Sequence, residues 1–175
     1  MDVTHDLNSE PTKSELAVGE SVSIELETTA LENQPQSSAF VDPLSIDSAA
    51  LSIIIQEVLD IVNSERGRVG LLPLRLHSQL IAAAQAHSDD MARHNFMSHT
   101  GSDGSSPFDR MKRYGYNFRW AGENVASGYS SPQDVMRGWM NSSGHRANIL
   151  NPNFRDIGIG YARGNSPYWT QKFGA

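Results

Sequence analysis

The feature that most restricts the fold of this chain is an abrupt change of composition near residue 50. Residues 1–50 contain ten acidic residues and one basic residue, Lys13, whereas the rest of the chain contains ten acidic and thirteen basic residues. Within residues 1–48, Phe40 is the sole aromatic residue. Such a segment buries too little apolar surface to offset the entropy that it would lose on ordering. We therefore predict a disordered acidic segment over residues 1–48 and one globular domain over residues 49–175.

One stretch of the acidic segment leaves an alternative open. In GESVSIELET, Val22, Ile24 and Leu26 alternate with polar residues, as they would in a half-buried strand. The stretch is therefore either part of a disordered tail or a strand docked on the domain.

Composition also excludes several classes of protein. The chain has no cysteine, so disulfides, a thiolate nucleophile and a zinc–thiolate site are all excluded. The domain is too weakly basic for a nucleic-acid-binding protein that relies on phosphate contacts. The longest apolar runs, such as LSIIIQEVL, are too short for a transmembrane segment. The start, MDVTHDLNSE, lacks both the basic region and the apolar region that an ordinary signal peptide contains.

Apolar residues at helical spacing predict two helices after residue 50. The first contains Leu51, Ile54 or Ile55, Val58, and Ile61 or Val62, and Gly70 can end it. The second contains Leu76, Leu80, Ala83, His87 and Met91. Two later helices begin alike, because SPFD from Ser106 and SPQD from Ser131 each offer a serine N-cap, a proline at the first helical position and an acid two residues later. Gly115 and the stretch 142–144 mark their ends.

Strand candidates lie between and after these helices. They are NFRWAGENVAS, DIGIGYA and YWTQKFG. In DIGIGYA the glycines share one face, which lets another backbone or a ligand approach closely. In YWTQKFG, Trp169, Gln171 and Phe173 share one face, and Lys172 lies on the other. Helices first and strands last indicate an α+β domain with a small antiparallel sheet covered by helices.

Two of the six histidines stand out as candidate site residues. His99 and His145 each lie in a loop rich in glycine and serine beside an apolar anchor, and such loops commonly carry functional sites. Glu123 lies among small and apolar residues, and a buried carboxylate requires a partner. The other four histidines have simpler interpretations: a solvated tail residue for His5, a loop position for His77, a hydrogen-bonded core position for His87 and a helix end for His94.

The residue types allow three interpretations of the set His99, Glu123 and His145. The side chains could bind zinc or another divalent cation with water at an open position. They could act as an acid–base set. They could also be three unrelated loop residues, since their spacing matches no helical metal motif.

Six segments of the chain together carry a resemblance to a known family. They are VNSERGRVGLLPL, AHSDDMARHNFMSHTGSDG, RMKRYGY, AGENVASG, GWMNSSGHRANILNPNFRDIGIGY and YWTQKFG. Through these segments, residues 55–174 resemble the CAP domain, also called the SCP domain, in its bacterial form.

The resemblance implies an α-β-α sandwich, with a small antiparallel sheet between helical layers, and a polar cleft. The family's first histidine corresponds to His99, its first glutamate to Glu123 and its second histidine to His145. Animal and fungal members have a second glutamate where this chain has Ser142. The acidic pair is therefore incomplete, which weakens any mechanism that requires two carboxylates.

Three functions remain open at this point. The first is an extracellular binding or interaction module, since family members act outside cells and several bind sterols, fatty acids or other lipids. The second is a metal-dependent hydrolase or protease that uses His99, Glu123 and His145, with a variant in which Ser142 or Ser143 is the nucleophile. The third is a structural domain whose cleft is a relic.

Overall fold

A computed structural model of the chain describes residues 48–175. The acidic segment, including the alternating stretch GESVSIELET, lies outside the described residues apart from Ser48, so both interpretations of that stretch stay predictions. In chain order the elements are α1 (Ser48–Arg68), β1 (Arg75–Leu76), α2 (Ser78–His94), α3 (Pro107–Arg113), β2 (Ala121–Ser127), α4 (Pro132–Asn141), α5 (Ser143–Ile149), β3 (Asp156–Arg163) and β4 (Pro167–Gly174).

The four strands form one sheet in the order β1-β3-β4-β2. The three longer strands are antiparallel, and the two-residue β1 pairs with β3 in parallel. The predicted α+β sandwich is confirmed, and β1 makes its sheet mixed. Leu76 is in β1 and not in the second helix, because His77 is extended and α2 begins only at Ser78.

Side-chain alternation along β3 assigns the helices to the two faces of the sheet. Ile157 and Ile159 belong to the main hydrophobic core together with Val58 and Val62 of α1. Trp139 of α4 and Ile149 of α5 belong to the same core. The other face of the sheet carries α2, with α3 beside it.

Glycines bring α2 very close to the sheet. A Cβ atom on Gly158 would lie 2.0 Å from the carbonyl carbon of Leu80, and one on Gly160 would lie 2.3 Å from that of Ala84. Any side chain at either position would displace the helix backbone. The predicted close approach to the DIGIGYA glycines is therefore confirmed, and the approaching backbone is that of α2.

The predicted helix starts are also confirmed. Ser106 and Asp109 form a capping box at the start of α3, in which the side chain of each residue bonds the backbone of the other. The hydroxyl of Ser131 accepts from the Asp134 amide at the start of α4. Gly115 follows α3 with a φ of +80°, a conformation that favours glycine.

Side chains from the helices satisfy backbone groups of the edge strand β2. The Glu123 carbonyl accepts from Asn148 Nδ2 at 3.2 Å, and the Val125 carbonyl accepts from Trp139 Nε1 at 3.3 Å. The two donors belong to α5 and α4, so these helices cover one margin of the sheet. None of the helices within residues 48–175 combines the length and apolar character that a membrane span requires.

Candidate functional site

Glu123 lies at the centre of the candidate site. It is the third residue of β2, and the register places it opposite Lys172 of β4, which in turn lies opposite Gly158 of β3. All three residues face the layer that contains α2, where Gly158 approaches the Leu80 backbone. Helices cover both faces of the sheet, so Glu123 and Lys172 are both fully buried.

The carboxylate of Glu123 is occupied by three donors. Oε2 contacts the ammonium of Lys172 and lies 3.3 Å from Nη2 of Arg110, whose side chain is 5% exposed. Oε1 accepts from Nδ1 of His99 at 2.8 Å. A buried carboxylate requires a partner, and Glu123 therefore has three.

Arg110 also fixes the loop that carries His99. From α3, its guanidinium donates to the carbonyl of Ser105 at 2.8 Å and to that of His99 at 2.7 Å. His87 of α2 holds the same loop, because its Nε2 lies 2.8 Å from the carbonyl of Ser98 and donates to it. Side chains from two helices and one strand thus position His99.

The cluster keeps Glu123 and Lys172 charged at neutral pH. Burial alone would raise the pKa of Glu123, but Lys172, the hydrogen bond from His99 and the nearby His87 and Arg110 together lower it to about 2. Burial lowers the pKa of Lys172 to about 8, while Glu123 opposes that shift. Since Glu123 is ionised, Nδ1 of His99 carries the proton of the hydrogen bond between them.

His87 differs from Glu123 and Lys172 because its ring stays uncharged. Burial is the main reason that its pKa falls to about 4; Lys172 and Arg110 act in the same direction, and Glu123 opposes them. Its predicted role as a hydrogen-bonded core residue is confirmed by its full burial and its bond to Ser98.

His145 belongs to a short helix, α5, and not to the loop in which the glycine-rich sequence placed it. Its ring is buried 6.5 Å from that of Trp139, measured between centroids. Its carbonyl accepts from Asn124 Nδ2 at 3.1 Å. Asn124 and Glu123 are neighbours on β2, so their side chains project to opposite faces of the sheet. Ser142 separates α4 from α5 and caps both.

The structure therefore joins His99 to Glu123 directly and connects His145 to the same strand through Asn124. Within residues 48–175, no group of three or more His, Cys, Asp or Glu side chains is arranged to hold a metal ion. The side chains around Glu123 do not fit a divalent cation as ligands, because the Glu123 oxygens already bind Lys172, Arg110 and His99. Zinc binding stays a prediction that titration must decide.

Sequence reasoning missed Lys172 and Arg110. The alternation in YWTQKFG placed Lys172 on the face opposite Trp169 but indicated no partner for it. The available signal was the sandwich itself: when helices cover both faces of a sheet, a strand lysine is buried and requires a carboxylate.

A second feature lies on the opposite side of the sheet, between α1 and α4. It is a groove of about 330 Å³. Its apolar residues are Ile61, Met136 and Met140, and its polar residues are Glu65, Gln133, Arg137 and Asn141. It is separate from the cluster around Glu123, since none of these residues contacts that carboxylate.

Comparisons with known proteins agree with this architecture. Residues 59–173 match the model of the CAP family, described as the cysteine-rich secretory protein family. The uncharacterized Bacillus subtilis protein YkwD is 44% identical over 125 residues, which are 71% of this chain and 48% of YkwD. A crystal structure of an extracellular Bacillus anthracis protein with an SCP domain is 31% identical, with a TM-score of 0.68, over 79% of this chain and 45% of that one.

A more distant structure shows the same fold. An outer surface protein of Borrelia burgdorferi is 22% identical with a TM-score of 0.64, and the match covers 68% of this chain and 90% of that one. The chain spans less than half the length of YkwD and of the Bacillus anthracis protein. The family model matches residues 59–173, and the order of the helices and strands and the site around Glu123 agree with it. The chain therefore belongs to the CAP family.

Proposed function

We propose that this CAP domain acts outside the cell as a binding module for a small apolar ligand, such as a fatty acid or a sterol, in the groove between α1 and α4. The groove is the observation that carries the proposal. Its volume of about 330 Å³ falls within the range of small-molecule sites. The extracellular location rests on the relative from Bacillus anthracis, which is described as extracellular.

The chemistry of the groove favours an apolar ligand. Met136 and Met140 of α4 face Ile61 of α1 across it. Methionine side chains are flexible and polarisable, so they adapt to ligands of varied shape. Of the charged groups on the rim, Arg137 is paired with Asp134, which leaves a mainly apolar contact surface.

The cluster around Glu123 supports binding over hydrolysis. A general base requires a free lone pair and a pKa near the working pH. Glu123 is a poor base, because its pKa is about 2 and three donors already contact its two oxygens. For Ser142 or Ser143 as a nucleophile, no specific observation favours the required geometry with His145.

The test is binding of a fluorescent fatty-acid analogue, with displacement by unlabelled fatty acid and by sterol. Met140→Trp places an indole in the groove and should weaken binding at least about tenfold by filling the space, since a blocked apolar site loses its contacts. The matched control is Leu72→Trp, which adds the same ring at a 66% exposed position outside the groove and should bind as wild type does. Equal affinity of both variants, or no binding by wild type, would contradict the proposal.

A further inference from the structure

The cluster around Glu123 contains more buried positive charge than negative charge. Glu123 and Lys172 are fully buried, and the side chain of Arg110 is 5% exposed. With His87 neutral, one carboxylate therefore faces two cations in an environment that excludes water. Burial on this scale strengthens every charge interaction within the cluster.

A divalent cation at this carboxylate would meet two obstacles. Its approach would be opposed by Lys172 and Arg110, which both lie against Oε2. To bind, it would have to displace the ammonium and leave a buried lysine without its partner. A buried charge without a partner is strongly unfavourable.

The backbone holds Lys172 in this position. Its Cα is paired with that of Glu123 on one side and with that of Gly158 on the other. Gly158 has no side chain, so the α2 backbone lies close against this part of the sheet and covers Glu123 and Lys172. The ammonium therefore has a fixed place beside the carboxylate.

We propose that the ammonium of Lys172 is the resident cation of this cleft and that Lys172 is the residue that excludes divalent metal from it. The ammonium balances Glu123, Glu123 orients His99 through Nδ1, and Arg110 binds the carbonyl of His99. The strand and the loop are thus connected without a metal ion. This inference is independent of the ligand proposed for the groove between α1 and α4, because that groove lies on the other side of the sheet.

The experiment is calorimetric titration of the full chain with zinc sulfate at pH 7.5. The proteins are wild type, His99→Ala, Lys172→Met, and the double variant with both changes. Wild type and His99→Ala should give the same isotherm, since zinc does not reach His99 while Lys172 is present. Lys172→Met should bind zinc at least about tenfold more tightly, because one of the two repelling charges is gone and Oε2 of Glu123 keeps only its longer contact, at 3.3 Å, with Arg110. The double variant should lose that gain.

Two results would overturn the proposal. One is tight binding of one zinc per wild-type chain that His99→Ala abolishes. The other is a folded Lys172→Met variant, judged by an intact cooperative melt, that shows no gain. If Lys172→Met does not fold, Lys172→Gln takes its place in the same titration, because the amide removes the positive charge and keeps a hydrogen-bond donor beside Glu123. Lys172→Met combined with Glu123→Gln removes both partners of the buried pair and should show no gain, which tests whether the carboxylate supplies the new binding.

Discussion

Acid should destabilise this domain through His87. Its ring is fully buried, and its pKa is about 4 in the folded chain against 6.5 for the free side chain. Between these values the unfolded state binds a proton that the folded state does not, so the free energy of unfolding falls as the pH falls from 6.5 to 4. Above pH 6.5 both states are neutral at this position, and the full stability is present.

The size of the effect follows from the shift. Each pKa unit corresponds to about 1.4 kcal/mol, so the change from 6.5 to about 4 predicts a loss of about 3 kcal/mol between pH 7 and pH 4. Glu123 adds little above pH 4.5, because its contribution is lost only as the pH falls from its ordinary pKa of 4.5 towards the folded-state pKa of about 2. Above pH 4.5, therefore, His87 contributes more than Glu123 to the change of the free energy of unfolding with pH.

Urea unfolding followed by tryptophan fluorescence at several pH values from 7 to 4.5 measures this slope. His87→Gln retains a donor for the Ser98 carbonyl but cannot titrate, so its stability should vary much less with pH. His5→Gln, which removes the histidine of the acidic N-terminal segment, is the control and should keep the wild-type slope. A wild-type slope near zero, or an equal slope in His87→Gln, would refute the reasoning.

Further predictions concern packing. Trp139 and Trp169 are each 1% exposed, so replacing either with alanine should cost about 3–5 kcal/mol in urea unfolding. A loss below about 1 kcal/mol would contradict this prediction. Gly158→Ala should cost at least about 1–3 kcal/mol, because the new Cβ would lie 2.0 Å from the Leu80 carbonyl carbon. Gly67→Ala is the control: nothing lies within 4 Å of its Cβ in α1, so the melting temperature should stay the same or rise. Equal melting temperatures for the two glycine variants would count against the close approach of α2.

Local patterns in the sequence were sufficient for most of the fold. Serine, proline and an acid at fixed spacing start a helix through bonds made within four residues, so Ser106 and Ser131 could be recognised without knowledge of the tertiary structure. The register of β2 against β4 could not be recognised in this way. It depends on pairing between residues almost 50 positions apart, such as Glu123 and Lys172.

The same limit applied to the candidate site. His99 and Glu123 could be proposed from their loop and strand settings and from the family resemblance. In the structure, Nδ1 of His99 lies 2.8 Å from Oε1 of Glu123. The charge of the site could not be anticipated, because it depends on Lys172 and Arg110, which appear in the sequence as ordinary surface cations. His145 was placed in a loop rich in glycine and serine, whereas in the structure it belongs to the separate seven-residue helix α5, which packs against Trp139 and β2.

The way in which β2 is covered has a consequence for how the protein behaves in solution. An uncovered edge strand of seven residues could pair with the same strand of another molecule. Here the carbonyls of Glu123 and Val125 are satisfied by Asn148 and Trp139, which belong to helices and not to another strand. Local opening of α4 and α5 would release both carbonyls at once, before the sheet itself unfolds. Self-association of the domain should therefore depend on the stability of these two helices more than on its global stability.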